Sequence, residues 1–293
     1  MIQNVIDDML ITRFANNIDL HEYIKKMEHK NGRDYYLQIQ HSNSVNNVQW
    51  FGACYDDAMT RLLYGNKEYT ERFIDGLKEL NQDIDVNTNI FRDIEGFAYD
   101  MGAVVDGEPE CCLNIGSPKE KPTIKIRVGY SFAGSVDSDI LRNRGVAITN
   151  LIYTLMVKGY IIDLAIAEVF IPSYRFDSPD GSKRLDKSAI YINIPTENLC
   201  IGTVAMYNSV EFFRVLMILT HSMLCDKPQR PGDGKGTMEE SDIKQAFGDD
   251  CFFIPAGFYD GKMMRLNTVE KANDYITQLF NEYCNKQNIN IGD

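Results

Sequence analysis

The sequence predicts an α/β fold: a three-layer domain with a mostly parallel sheet and helices on both faces, preceded by a mainly helical N-terminal layer. Three observations carry the expectation. Residues 124–128 (IKIRV) alternate apolar and polar side chains, as a half-buried strand does. Residues 138–158 place Leu141, Ile148, Leu151, Ile152 and Leu155 on one helical stripe that stops at Gly159. Residues 161–170 (IIDLAIAEVF) form the nearly continuous apolar run of a strand covered on both faces. Strand, helix and strand in succession make a βαβ unit, whose crossover is expected to be right-handed.

The remaining elements follow from pattern and punctuation. Leu20, Tyr23, Ile24 and Met27 recur at helical spacing over 18–30, 35–40 (YYLQIQ) alternates like a strand, and two helices follow over 55–64 and around Phe73, Leu77 and Leu80. Residues 1–90 therefore read as a mainly helical accessory region. Between 91 and 123, four glycines and three prolines mark an irregular connector or short strands. The α/β core spans 124–260: after the βαβ unit come a polar hairpin tip over 172–188, a strand over 188–194, a long apolar helix over 209–224, a solvated loop over 226–236 and a short strand over 251–255. Residues 261–293 supply a closing helix, with Val269, Ala272, Ile276, Leu279 and Phe280 inward.

Composition narrows the function classes. The 293 residues carry 30 Lys+Arg against 42 Asp+Glu, a net −12 that argues against a surface built to neutralise phosphates, so a nucleic-acid partner is not expected. Seven cysteines with no C-x-x-C pair argue against a zinc ribbon or a disulfide framework and favour reduced thiols in a cytoplasmic setting. The opening MIQNVIDDMLITRF lacks a basic n-region, and the apolar stretch 215–224 is half the length of a membrane span; no membrane partner is expected.

Candidate chemistry concentrates at the loop 129–137, since ligands of open α/β sheets sit beyond the carboxyl ends of the strands. That loop fits neither G-x-G-x-x-G nor a P-loop. Against the metal-adhesion pattern D-x-S-x-S, Gly129 stands where the aspartate belongs and Ala133 where the second serine does. Ser131 matches the first serine, and Ser135 and Asp137 are the substitutes available. Ser138 is expected to cap the following helix. Arg144 precedes Gly145, a glycine in a helix interior that implies close backbone approach, with a carbonyl or carboxylate edge for the arginine. His221 with Cys225 one turn later offers two corners of a zinc site; without two more ligands, a packed core histidine is the expectation. Glu108 and Glu110 beside Cys111 read as solvated carboxylates, and Trp50, the sole tryptophan, as an anchor or partner contact. Trp50, Ser131, Ser135, Asp137, Arg144 and His221 are thus the ligand-facing candidates; no catalytic set, metal or cofactor is expected.

Several short pieces resemble an uncharacterised family encoded by tailed bacteriophages: Trp50-Phe51-Gly52, Leu63-Tyr64-Gly65, residues 107–111 (GEPEC), residues 144–148 (RGVAI) and residues 158–164 (KGYIIDL). The core also resembles a degenerate von Willebrand factor A domain, a fold that mostly mediates binding. The family resemblance implies a phage source and nothing about catalysis. The absence of a convergent catalytic set, with a fold suited to presenting a rigid face, leads to the expectation of a non-enzymatic binding or assembly protein, in the cytoplasm of an infected host or incorporated in the virion. Its implied partners are phage structural proteins or further copies of the chain. The alternatives are a nucleotide- or nucleic-acid-processing enzyme, which needs Ser131, Asp137, Arg144 and His221 to converge in one pocket, and a replication-associated binding protein.

Overall fold

The computed structural model describes residues 1–28, 51–80, 90–93, 98–99, 112–115, 123–130, 136–172, 175–196, 199–225, 234–235, 240–248, 250–256 and 265–289. In chain order the strands are β1 (Ile2–Ile6), β2 (Met9–Phe14), β3 (Ile90–Asp93), β4 (Ala98–Tyr99), β5 (Cys112–Ile115), β6 (Thr123–Val128), β7 (Ile161–Pro172), β8 (Phe176–Asp177), β9 (Arg184–Leu185), β10 (Lys187–Ile194), β11 (Gly234–Lys235) and β12 (Cys251–Ile254). The helices are α1 (Asn17–Glu28), α2 (Tyr55–Tyr64), α3 (Lys67–Leu80), α4 (Ser138–Val157), α5 (Ile201–Tyr207), a π-helical turn (Phe212–Met217) running into α6 (Ile218–Leu224), α7 (Glu240–Phe247) and α8 (Val269–Gln287).

The fold is α/β, and its main sheet is mixed and mostly parallel. Six strands run in the order β1-β2-β10-β7-β6-β12, with β11 added antiparallel to the end of β7. The β2–β10, β6–β7 and β6–β12 pairings are parallel; β1–β2 and β7–β10 are antiparallel. The expected βαβ unit is therefore present, with β6 and β7 as direct neighbours joined through α4. Gly159 follows α4 at φ 83°, a left-handed conformation that a side chain would oppose.

The N-terminal region holds α1, α2 and α3 among its described residues and also contributes strands to the main sheet. Residues 2–14 form two strands, and β2 lies inside the main sheet between β1 and β10, with five of its six residues buried. The physical reason is short-range: two apolar runs meet at Asp7-Asp8, where Asp7 takes φ 52°, so the pair closes as a hairpin. Phe14, Leu20 and Ile24 then share one apolar cluster with Ile126, Ile166 and Ile192 of the sheet, so this region builds the same core as the rest.

Other departures are local. Asp137, not Ser138, caps α4: its carboxylate accepts from the Asp139 amide at 3.0 Å, and Ser138 is already helical. A carboxylate is also the better acceptor at the positive end of a helix dipole. The long apolar helix expected over 209–224 begins as a π-helical turn, and α7 arises where no helix was expected. Within the expected loop 226–236, Gly234 and Lys235 pair with Pro172 and Ile171. The expected strand at 35–40 lies outside the described residues, as do Glu108, Glu110 and Cys111.

The two pleats of the sheet face different environments. Ile126, Ile166, Ile190 and Ile254 join the large cluster with α1 to α6 and α8. Met9, Ile11, Val169 and Ala189 pack on the opposite pleat against Ile243 and Ala246 of α7. Among the described residues no single helix is long and apolar enough to cross a membrane; α5 and the π-turn–α6 segment meet at a 63° bend and bury most of their side chains.

Candidate functional site

The order of the strands creates a crevice where a ligand is expected. From β6 the chain passes through α4 to β7 on one side, while β12 arrives on the other, so the carboxyl ends of β6 and β12 form the switch point of the sheet. Arg144 fills that place. Its side chain is fully buried, and its Nη2 donates to the carbonyls of Gly129 (3.1 Å), Ile254 (3.1 Å) and Pro255 (3.0 Å). The guanidinium lies 5.7 Å from the Tyr130 ring centroid, and Tyr130 meets Phe212 edge-on at 5.6 Å. Burial pulls the Arg144 pKa down to about 10, opposed by Tyr130 and Tyr275, so it stays protonated at neutral pH. The carbonyl edge expected for this arginine is thus supplied by the strand ends themselves.

Gly145 explains how Arg144 reaches that depth. A Cβ there would stand 2.5 Å from Asn208 Cγ and 2.8 Å from Phe73 Cε2, so α4, α3 and the end of α5 meet nearly backbone to side chain. Asn208 is itself held, its Nδ2 donating to the Val204 carbonyl and its backbone carbonyl accepting from Tyr69 Oη.

The other candidates fall into separate environments. Asp137 caps α4 and also accepts from Ser138 Oγ at 3.3 Å. Arg214, on the π-helical turn, donates to the Val136 carbonyl at 2.9 Å; burial lowers its pKa and Asp137 counters. Trp50, Ser131 and Ser135 lie outside the described residues. His221 is buried, stacks on Phe170 with centroids 4.7 Å apart, and places Nε2 3.8 Å from Glu168 Oε2. Its nearest acidic partner therefore comes from β7, and among the described residues no group of three or more His, Cys, Asp or Glu could hold a metal ion. Sequence reasoning missed Glu168, though an acid flanked by apolar residues deep in a strand run is a signal of a buried polar partner.

A second concave region was not anticipated. A cleft of about 1030 Å³ opens between α1 and the β8–β9 hairpin, with Tyr23, Met27, Phe176, Met223, Leu224 and Cys225 in its lining. Glu22, Lys26, Arg175 and Arg184 also border it. Arg184 pairs with Asp177 at 2.8 Å and Arg175 with Asp186 at 2.7 Å; both arginines are largely exposed, so these pairs orient the hairpin more than they stabilise it. Methionine side chains adapt to irregular apolar surfaces, which suits a docking floor.

Two thiols, Cys225 in the cleft lining and Cys200 before α5, differ in reactivity. Cys225 is buried, and burial, opposed by the nearby Ser188 hydroxyl, pushes its thiol up to about 12. Cys200 is exposed; partial burial raises its pKa, but the Thr203 hydroxyl and the Thr203 and Gly202 amides bring it below the ordinary value. Iodoacetamide at pH 8 is therefore expected to alkylate Cys200 many-fold faster than Cys225 in the folded protein, because the thiolate is the nucleophile. Timed peptide mass mapping checks this, and equal rates would show that the α6 end opens to solvent.

No curated protein and no solved structure matches the chain. Residues 6–273, which include the Arg144 clamp and the cleft floor, match the family described as Domain of unknown function (DUF7192), and the chain belongs to that family.

Proposed function

We propose that the protein is a non-enzymatic binding or assembly protein, a three-layer α/β body that docks a segment of a protein partner in the cleft between α1 and the β8–β9 hairpin. The cleft carries this reading: it joins an apolar floor of Tyr23, Met27, Phe176 and Met223 to a charged border, the composition of a recognition groove. Two further observations support it. Arg144 occupies the crevice at the ends of β6 and β12, where a small ligand would otherwise bind. The two apolar clusters on opposite pleats support the layering. Assignment to a bacteriophage, or to a virion within it, rests on the sequence resemblance alone.

The test compares tagged wild-type protein with Met27→Asp, purified from cells that carry the gene naturally. A carboxylate buried on the groove floor costs several kcal/mol, so the partner stoichiometric with wild type is expected to fall at least about thirtyfold. Tyr64→Asp, at an 82 % exposed position away from the cleft, should retain it. An identical set of co-purifying proteins for all three overturns the reading.

A further inference from the structure

β1 is an edge strand: β2 pairs one side, and no described strand pairs the other. Sheet edges in natural proteins are guarded by charge, proline, bulges or cover. The five residues of β1, IQNVI, carry neither charge nor proline, in a chain of net charge −12. Met1, Ile2 and Ile6, in and beside this strand, are 48 %, 69 % and 36 % exposed, three of the seven exposed large apolar side chains among the described residues.

We propose that the free edge of β1 pairs antiparallel with β1 of a second copy of the chain, about a two-fold axis through Asn4. The strand is self-complementary in that register. Ile2 of one copy meets Ile6 of the other, Gln3 meets Val5, and Asn4 meets Asn4, as an isologous contact requires. Ile2, Asn4 and Ile6 share the exposed pleat, so the two isoleucine pairs flank the axis on one face. Charge fits this occupant: no carboxylate falls within the paired segment, and the two Asp7 side chains lie at opposite ends of it. Edge pairing leaves the Arg144 clamp untouched and meets the cleft only where Met1 and Gln3 line it, away from the floor of Tyr23, Met27, Phe176 and Met223, so it goes beyond the docking proposed above.

Engineered cysteines read the register directly. Residues facing each other across antiparallel strands have Cα atoms about 4.5–5.5 Å apart, within disulfide range. Asn4→Cys is expected to give an oxidised dimer joined at position 4, identified by peptide mapping that separates it from bonds through native cysteines. Gln3→Cys, whose counterpart is Val5, should give none at position 3. Light scattering of the native chain should show mass rising towards double with concentration, and Asn4→Lys should raise the dissociation constant at least tenfold without loss of secondary structure. A native mass that stays monomeric up to roughly 1 mM, or bonding at position 3 as ready as at position 4, overturns the proposal.

Discussion

Arg144→Leu is expected to destabilise the protein by roughly 2–5 kcal/mol, a large part of the typical total for a domain. Three carbonyls accept from one Nη2 in the folded state. The Ile254 carbonyl keeps a second donor, the Gly129 amide at 2.9 Å, but the replacement strips the guanidinium from those of Gly129 and Pro255. A buried acceptor left without a donor costs about 1–3 kcal/mol. The void left by the longer side chain adds to this, while relief of a desolvated cation subtracts. Arg144→Lys should recover little, because an ammonium lacks the planar fork and the reach. Urea unfolding followed by circular dichroism measures the difference; a loss below about 1 kcal/mol would mean that water reaches the strand ends.

The second large effect falls one residue later. Gly145→Ala should lower stability by about 2 kcal/mol, although the same change in an open helix interior gains about 1 kcal/mol. The added methyl would stand 2.7 Å from Asn208 Cβ, which is fixed to the backbone and cannot rotate away. Either α4 shifts from α5 or the Asn208 bonds to Val204 and Tyr69 break. A thermal scan should show a midpoint several degrees lower, taking roughly 2–4 °C per kcal/mol for a domain of this size. An unchanged or raised midpoint would show that the helices have slack at this contact.

These two positions were legible because they break local rules. An arginine and a glycine inside an apolar helical stripe have no local justification, so the pair announced a tertiary contact before any contact was known. The β6-α4-β7 unit was legible for the opposite reason: periodicity, capping residues and the terminal glycine all agree. The N-terminal hairpin was not, because strands of five and six residues around Asp7-Asp8 present too short a pattern to outweigh the helices after them. Glu168 and His221 lie on different elements and meet only after β7 and α6 pack. The cleft draws on α1, the β8–β9 hairpin and the end of α6, so no contiguous motif could mark it.

The place of β2 in the sheet also bears on synthesis. Met9 to Phe14 are made well before their inner partner, which runs from Lys187 to Ile192. The local unit from β6 to β7 has all its parts much sooner. Until the later segment leaves the ribosome, Met9, Leu10 and Ile11 wait without their interior neighbour, and a chain halted before that point exposes a greasy hairpin with nothing to shelter it. Completion of this sheet is thus a late event tied to translation, and the stretch before Lys187 is where a nascent chain depends most on chaperones.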